Sequence, residues 1–444
     1  MEVEICAVGG YSEVGKNMTA IRIDDDVIIA DIGLFLEPLV VAQTGEEQQP
    51  QSAMHLMKIG AIPDDSVLEK WRSKVRAIVL GHAHLDHIGA VQYIAAKYRA
   101  PIMGSPYAVA ILRSLLQDNE VRLPNPIKAI PFTKEIQVST NIRIELINIT
   151  HSTLHCSIVA IHTPKGIILY ATDFKLDNTP VLGPKPNYKR LQEIAGNVKL
   201  LIVECLYSGK EAKTPSEIVA REMLQDIMLN MKNQGNAIFV TTFASHLPRI
   251  KSIIDFGNKL KRRVVILGRS MGRYINAAEN LNLVQFSQGA KIVPFSGDVR
   301  RVLEEVNRNR GKYVVVCTGN QAEPGSILDK ILNKKLNFHF KEDDQVIFSC
   351  KTLPVPSNIL NREAMEKKLK DMKVRIFTDV HSSGHSSKED LREFIELLRP
   401  EHIVPCHGNR AMELSFEKLS TELGYVTGKN VHLLEDGAKQ IFRF

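Results

Sequence analysis

The chain has 444 residues, 44% hydrophobic and 24% charged, which predicts two or three domains and excludes wholesale disorder. No apolar run approaches the roughly 20 residues of a membrane-spanning helix, and the opening MEVEICAVGG lacks the basic and apolar regions of a secretory signal. Net charge is +7, concentrated in one place: Cys205–Met372 carries 27 Lys+Arg against 17 Asp+Glu, the rest 30 against 33. A local basic excess is the electrostatic footprint of a polyanion partner, or else a solvated basic face. The six cysteines (Cys6, Cys156, Cys205, Cys317, Cys350, Cys406) are scattered without a CxxC pair. They read as reduced thiols of a cytoplasmic protein.

In chain order, the first 35 residues predict three short strands, VEICAVGG, NMTAIRID and DVIIADIG, separated by Gly and Asp turns. A helix is expected over 66–74, then the buried strand VRAIVLGH, then a helix over 88–97 from the spacing of Ile88, Val91, Ile94 and Ala95. NIRIELINIT, CSIVAIHT, GIILYATD and VKLLIVE continue as strands, the mix expected of a layered α/β domain. From Pro215 the pattern becomes regular. A helix over 215–232, N-capped by Thr214, leads into AIFVTTF, a helix, RRVVILG, a helix, KIVPF and YVVVCTG. Such alternation predicts a parallel sheet with crossover helices. VIFSC, a helix over 362–370 and VRIFTDVH follow, and HIVPCHG is expected as a strand ending in a turn. No internal repeat or low-complexity tract interrupts the chain.

The chemistry is concentrated in GHAHLDH: His82, His84, Asp86 and His87. In an extended loop His82 and His84 face one side, and the turn at Asp86–His87 aims two more donors at a neighbouring point. Imidazoles mixed with carboxylate suit zinc or another borderline divalent metal. His151, Asp173 and His407 each fall at the end of a predicted strand. Singly each reads as a cap or turn residue. Together they supply the ligands that two adjacent cations require, with Asp173 able to bridge both.

With those motifs in place, the sequence resembles the β-CASP nucleases of the metallo-β-lactamase superfamily. Asp31 in VIIADIG matches the first family motif, HAHLDH the second, His151 the third and Asp173 the fourth. Glu204 in LIVECLY matches acidic motif A, His385 in HSSGH motif B, and His407 motif C, where His is typical of RNA-processing members and Val of DNA-processing ones. GGYSEVGKNMT, TTFASH, CTGNQAEPGS and HSSGH narrow the likeness to the ribonuclease J family, especially its shorter archaeal type. About 37 residues follow His407, too few for the additional C-terminal domain of bacterial members.

The resemblance implies an αββα metallo-β-lactamase sandwich from residues 1–205 and 373–444, with an α/β β-CASP domain (206–372) inserted. The basic excess falls almost wholly in that insert. The resemblance further implies two divalent cations per chain, zinc first with manganese or magnesium as alternatives. His82, His84, His151 and Asp173 would hold one; Asp86, His87, His407 and the shared Asp173 the other, with Asp31 behind them. The implied activity is metal-assisted phosphodiester hydrolysis, with His385 acting on the scissile phosphate or leaving oxygen and Glu204 orienting it. A 5′→3′ exoribonuclease acting on 5′-monophosphorylated single-stranded RNA is expected. Endoribonuclease action of the RNA 3′-end-processing type and, behind it, DNA cleavage are the alternatives. Relatives are often dimers, so a homodimer is expected.

Other residues are candidate RNA contacts. Ser245 and His246 follow a predicted strand end. Asn320, Gln321 and Ser349 match parts of the family's 5′-monophosphate pocket. Its next stretch, KTLPVPSN with Ser357 and Asn358, departs from the bacterial Gly-Asn-Glu turn. His381 is either a phosphate contact or structural. His155, His162, His339, His402 and His432 read as structural. Gly10–Asn17, GYSEVGKN, is one residue short of a phosphate-binding P-loop; Asn17 stands where Ser or Thr is needed and a strand follows instead of a helix. A turn shaping the rim of the metal site is the expected role.

Overall fold

Alternation of apolar side chains sets the first layers. The strands in chain order are β1 (Glu2–Gly9), β2 (Met18–Ile23), β3 (Asp26–Ala30), β4 (Val75–Leu80), β5 (Ile102–Gly104), β6 (Ile127–Ala129), β7 (Glu135–Ser139), β8 (Ile142–Asn148), β9 (Ser157–Thr163), β10 (Gly166–Ala171), β11 (Val198–Glu204), β12 (Ile238–Thr241), β13 (Arg263–Leu267), β14 (Ala290–Val293), β15 (Tyr313–Cys317), β16 (Gln345–Phe348), β17 (Arg375–Phe377), β18 (His402–Cys406) and β19 (Lys439–Arg443). The computed structural model describes residues 1–42, 52–232, 235–353 and 356–444.

Two mixed sheets lie in one unit, formed by Met1–Leu176, Pro184–Thr214 and Gly384–Phe444. Their strand orders are β19-β1-β2-β3-β4-β5-β6 and β18-β11-β10-β9-β8-β7. Period-two patterning faces them together. Val3, Ile5, Ala7, Ile28 and Val79 of the first sheet share a core with Ile144, Leu146, Ile161, Leu200 and Ile202 of the second. Alternate residues Ile158, Ala160, Leu201 and Val203 turn outward, where they pack on Leu391, Phe394 and Ile395 of helix Lys388–Leu398 and on Phe416 and Leu419 of helix Arg410–Glu422. Helix Pro106–Asp118 lies against the first sheet. The order is helix, sheet, sheet, helix: an αββα sandwich.

The second unit, Asp177–Gly183 and Pro215–Ser383, holds a six-stranded sheet of order β14-β13-β15-β12-β16-β17, every pair parallel. Its central strands are buried along their whole length, as sheets covered by helices on both faces require. The sequence-based joints stand at 205/206 and 372/373; the contact units meet at 214/215 and 383/384.

Local differences from the sequence reading have local causes. The expected helix over 88–97 is broken into Leu85–Ile88, Val91–Ile94 and a 3₁₀ turn Ala95–Lys97, because Ala90 N–H bonds Ile32 O instead of the preceding turn. The segment 66–74 is a 3₁₀ helix, Asp65–Lys74, capped by Asp64. The helix after residue 214 is capped by Ser216, not Thr214. The Thr214 hydroxyl is committed to His385 O and Ser387 N. That helix runs Glu217–Gln225 and loosens into a π turn, Asp226–Asn230. The expected helix over 362–370 extends to Pro356–Asp371.

Candidate metal centre

Strand ends deliver the site. Asp31 follows β3, His82 and His84 follow β4, His151 follows β8, Asp173 follows β10, Glu204 ends β11 and His407 follows β18. Asp31, Asp173 and His407 adopt left-handed backbone (φ 59, 52 and 53°), so each strand turns sharply where its side chain is presented. Such conformations outside glycine cost energy and gather at functional sites.

Two groups of four result. His82, His84, His151 and Asp173 offer ligand atoms within 4.8 Å of one another, and so do Asp86, His87, Asp173 and His407. His84 Nδ1 lies 3.1 Å from His82 Nε2 and 3.1 Å from His151 Nε2. Asp173 Oδ2 is 3.3 Å from His82 Nε2, 3.3 Å from His87 Nε2 and 3.6 Å from His151 Nε2; its Oδ1 is 3.4 Å from His407 Nε2. Ligand atoms sharing a tetrahedral zinc at bonds of 2.0–2.1 Å sit about 3.3 Å apart. The spacings and the donor chemistry both fit a cation in each group.

The rings are held in ligating orientation from behind. His87 Nδ1 donates to Asp31 Oδ2 at 2.7 Å, and that carboxylate also takes the Tyr170 hydroxyl at 3.0 Å and Gly81 N–H at 2.8 Å. His151 Nδ1 donates to Gly384 O at 2.8 Å. In both rings this leaves Nε2 pointing inward, with a free lone pair in His151 and, once His87 gives up its proton, in His87 as well. Gly384 is obligatory for a steric reason: a Cβ there would stand 2.8 Å from the His151 ring. Tyr170 and Gly384 carry no signal in the sequence, one reading as a strand residue and the other contributing only a carbonyl.

Without a cation, burial pushes His82 down to about 3 and His84 to about 4, so both are neutral near pH 7. Burial also lowers His151 and His407. His87 goes the other way. Burial opposes its charge, but the carboxylates of Asp173, Asp86 and Asp31 more than offset this and raise it well above the usual range. Burial alone would raise Asp173, yet the imidazoles around it, His407 and His87 foremost, hold it well below the ordinary carboxylate range.

Glu204 and His385 stand beside these groups. Glu204 is fully buried; its Oε2 pairs with His385 Nδ1 at 2.7 Å and its Oε1 takes Phe174 N–H and Ser386 N–H at 3.0 and 3.1 Å. The His385 ring lies 5.0 Å from that of His151 and is stacked 5.5 Å from that of His407. Burial works against its proton, but Glu204, then Asp173, raise it to about 9.

The remaining candidates lie in the second unit. Ser349 Oγ donates to Val380 O at 3.0 Å and accepts from Arg249 at 2.9 Å. Gln321 spans Lys351 O and Leu353 N–H at 2.9 and 2.8 Å, organising the stretch that departs from the family pattern. Residues 354–355 of that stretch lie outside the described residues. Asn320 is buried and Asn358 half-buried on helix Pro356–Asp371. Ser245 and His246 are buried at the start of helix Leu247–Lys259, with His246 Nε2 3.5 Å from Glu217. His381 is half-buried. A separate group, Glu135, Glu145 and His162, is an ion-pair network: Arg190 forks onto Glu145 at 2.8 and 3.0 Å and Arg143 takes Glu135 at 2.7 Å.

Residues 13–214 match the metallo-beta-lactamase superfamily, 235–368 the ribonuclease J beta-CASP domain, and 371–434 the Zn-dependent metallo-hydrolase RNA specificity domain. The chain is 39% identical to ribonuclease J of Methanocaldococcus jannaschii over 440 residues, covering 98% of each, and 40% identical to that of Pyrococcus abyssi over 438, covering 98% of this chain and 96% of the other. The chain belongs to the ribonuclease J family. It is accordingly a metal-dependent RNA hydrolase, an αββα metallo-β-lactamase sandwich with an inserted β-CASP domain. The longer Thermus thermophilus ribonuclease J is 30% identical, with 73% of its length covered. A crystal structure of a protein of unknown function from Enterococcus faecalis has the same fold, at TM-score 0.67 and 17% identity with both chains fully covered. Among the described residues no helix is long and apolar enough to cross a membrane.

Proposed function

We propose that the chain binds two divalent cations, zinc first, and removes nucleotides from the 5′ end of 5′-monophosphorylated single-stranded RNA. The observation that carries this reading is the pair of four-residue groups sharing Asp173. Held there by these residues, cations would supply a more acidic water and charge stabilisation for an attacked phosphate. The chain's own part is to fix geometry and protons. His82, His84 and His151 present neutral nitrogens to the first position; Asp86, His87 and His407 complete the second; Asp31 holds His87 from behind. His385, protonated against Glu204, is placed to donate to a phosphoryl oxygen or to the leaving 3′ oxygen. The basic residues of the β-CASP domain would neutralise RNA phosphates, so affinity should fall with salt. All six cysteines are free and buried, in keeping with a reducing cytoplasm. A homodimer is expected on family grounds.

RNAs labelled at the 5′ end and bearing monophosphate, triphosphate or hydroxyl test the direction. Labelled mononucleotides released fastest from the monophosphate are expected; internal fragments as first products would overturn the exonucleolytic reading. Internal cleavage is the second reading, favoured by Ser349 and Gln321, whose side chains are engaged within the protein.

Proton linkage gives another expected result. His87 carries a proton in the metal-free protein that the second cation must displace, whereas His82 and His84 are already neutral. Metal uptake near pH 7 should release at least about one proton per chain, and second-cation affinity should weaken about tenfold per pH unit as pH falls. Calorimetry in buffers of different ionisation enthalpy reads this. Identical heats in every buffer would count against it.

A further inference from the structure

The P-loop-like stretch Gly10–Asn17 delivers one side chain to the metal centre. Asn17 follows the turn after β1, immediately before β2, and is 2% exposed. Its Oδ1 lies 2.9 Å from His407 Nδ1; its Nδ2 lies 3.0 Å from Asp86 O and 3.2 Å from His87 Nε2. The orientation of the amide follows from chemistry. Turned over, it would set its oxygen against the Asp86 carbonyl oxygen, which can only accept. With Oδ1 as acceptor, the His407 proton sits on Nδ1, and the Nε2 lone pair faces Asp173 Oδ1 at 3.4 Å and Asp86 Oδ2 at 4.0 Å.

The surrounding turn is built to keep this amide in place. His407 N–H donates to Gly10 O at 2.5 Å, and Asn17 N–H donates to Asp86 O at 3.0 Å. Gly10 has φ +86°, and a Cβ on it would come within 2.4 Å of Asn17 Oδ1. One amide thus ties the turn carrying Asp86 and His87 to the strand end carrying His407. All three residues belong to the same four-residue group, and the other group has no contact of this kind with Asn17.

We propose that Asn17 is a positioning residue for the second cation: it fixes the tautomer and tilt of His407, and so sets occupancy of the Asp86–His87–Asp173–His407 position without affecting the His82–His84–His151 position. The inference rests on the two-cation reading above. Removing a group that orients a ligating imidazole typically weakens metal binding 10- to 100-fold.

The test uses Asn17→Leu and Asn17→Asp in the full chain. Leu keeps the volume and leaves the backbone N–H on Asp86 O, but removes both the His407 acceptor and the side-chain donor to Asp86 O; Asp restores the acceptor without the donor. Metal per chain is measured by elemental analysis, the two affinities by chelator competition, and coordination by the visible spectrum of the cobalt-substituted protein. Wild type should hold two cations. Asn17→Leu should weaken the second 10- to 100-fold, alter only its share of the cobalt spectrum, and leave the first affinity unchanged. Asn17→Asp should bind the second cation more tightly than Asn17→Leu, though short of wild type, because its second oxygen faces Asp86 O. Equal affinities in wild type and Asn17→Leu would overturn the role of Asn17 alone. Equal weakening of both positions, or no rescue by Asp, would reduce Asn17 to a packing residue. A wild-type chain that takes up a single cation would overturn the two-cation reading itself.

Discussion

Asp173→Asn should abolish RNA hydrolysis, by about three orders of magnitude or more, while RNA binding and the fold persist. Asp173 is the one side chain common to both groups, with one oxygen toward His82, His87 and His151 and the other toward His407. An amide keeps one of those oxygens and replaces the other by an NH₂ that cannot ligate. Neither cation then has an anionic ligand at position 173, and the first group loses the one carboxylate it has. Charge stabilisation worth several kcal/mol is then lost, and each 1.36 kcal/mol is tenfold in rate. Asn is nearly isosteric and tolerates the left-handed backbone at φ 52°, so the strand end keeps its course. Cleavage rate, metal content and gel-shift affinity for uncleaved RNA check this together. Full activity with two bound cations would refute the shared-ligand assignment. His84→Ala and Asp86→Ala should act in the same direction, each through one position.

His385→Ala should slow cleavage about 10²- to 10⁴-fold with metal content unchanged, the usual range for losing a positioned proton donor. His385 stands outside both groups of four, in a third close set with Asp173 and Glu204, so its loss leaves both sets of four intact. Its proton is held up to about 9, chiefly by Glu204 against the opposing effect of burial. If it acts as an acid, its working form is full below that value, and at saturating metal activity declines as pH rises through it. The alanine variant should lack that alkaline decline. Glu204→Gln should shift the decline to lower pH, because the carboxylate that holds the proton is gone. Loss of metal together with activity in His385→Ala would make the residue part of the scaffold instead.

HAHLDH was legible because four donors crowd six positions after a buried strand, an arrangement sequence alone can express. His151, Asp173 and His407 were legible for another reason: each stands where a β-rich run meets a turn, and strands of a layered fold end at common edges. The supports behind them were less visible. Gly384 acts through a carbonyl that any residue possesses, and its identity matters only because the His151 ring passes so close. Tyr170 looks like one more apolar strand residue until its hydroxyl is found on Asp31. Thr214 and Ser216 are equally good caps on paper, and tertiary bonding to the His385 loop decides between them. Helix Pro106–Asp118 carried its signal openly, Ser105 followed by Pro106, yet its nearly continuous apolar run hides the helical period. β19 is five residues long and mostly exposed, too short to announce that it borders β1.

That pairing bears on how the protein comes into being. β1 finds its neighbour at 439–443 and β11 finds its neighbour at 402–406, across the entire inserted domain. The insert's parallel strands, by contrast, are all drawn from residues 238–377, so it has what it needs to fold once synthesised. A chain still emerging from the ribosome therefore has every β-CASP strand available before β18, His407 and β19 have been made. Closure over such sequence distances is slow and leaves strand edges open to wrong partners. On the two-cation reading, hydrolysis has to wait until translation has passed residue 407.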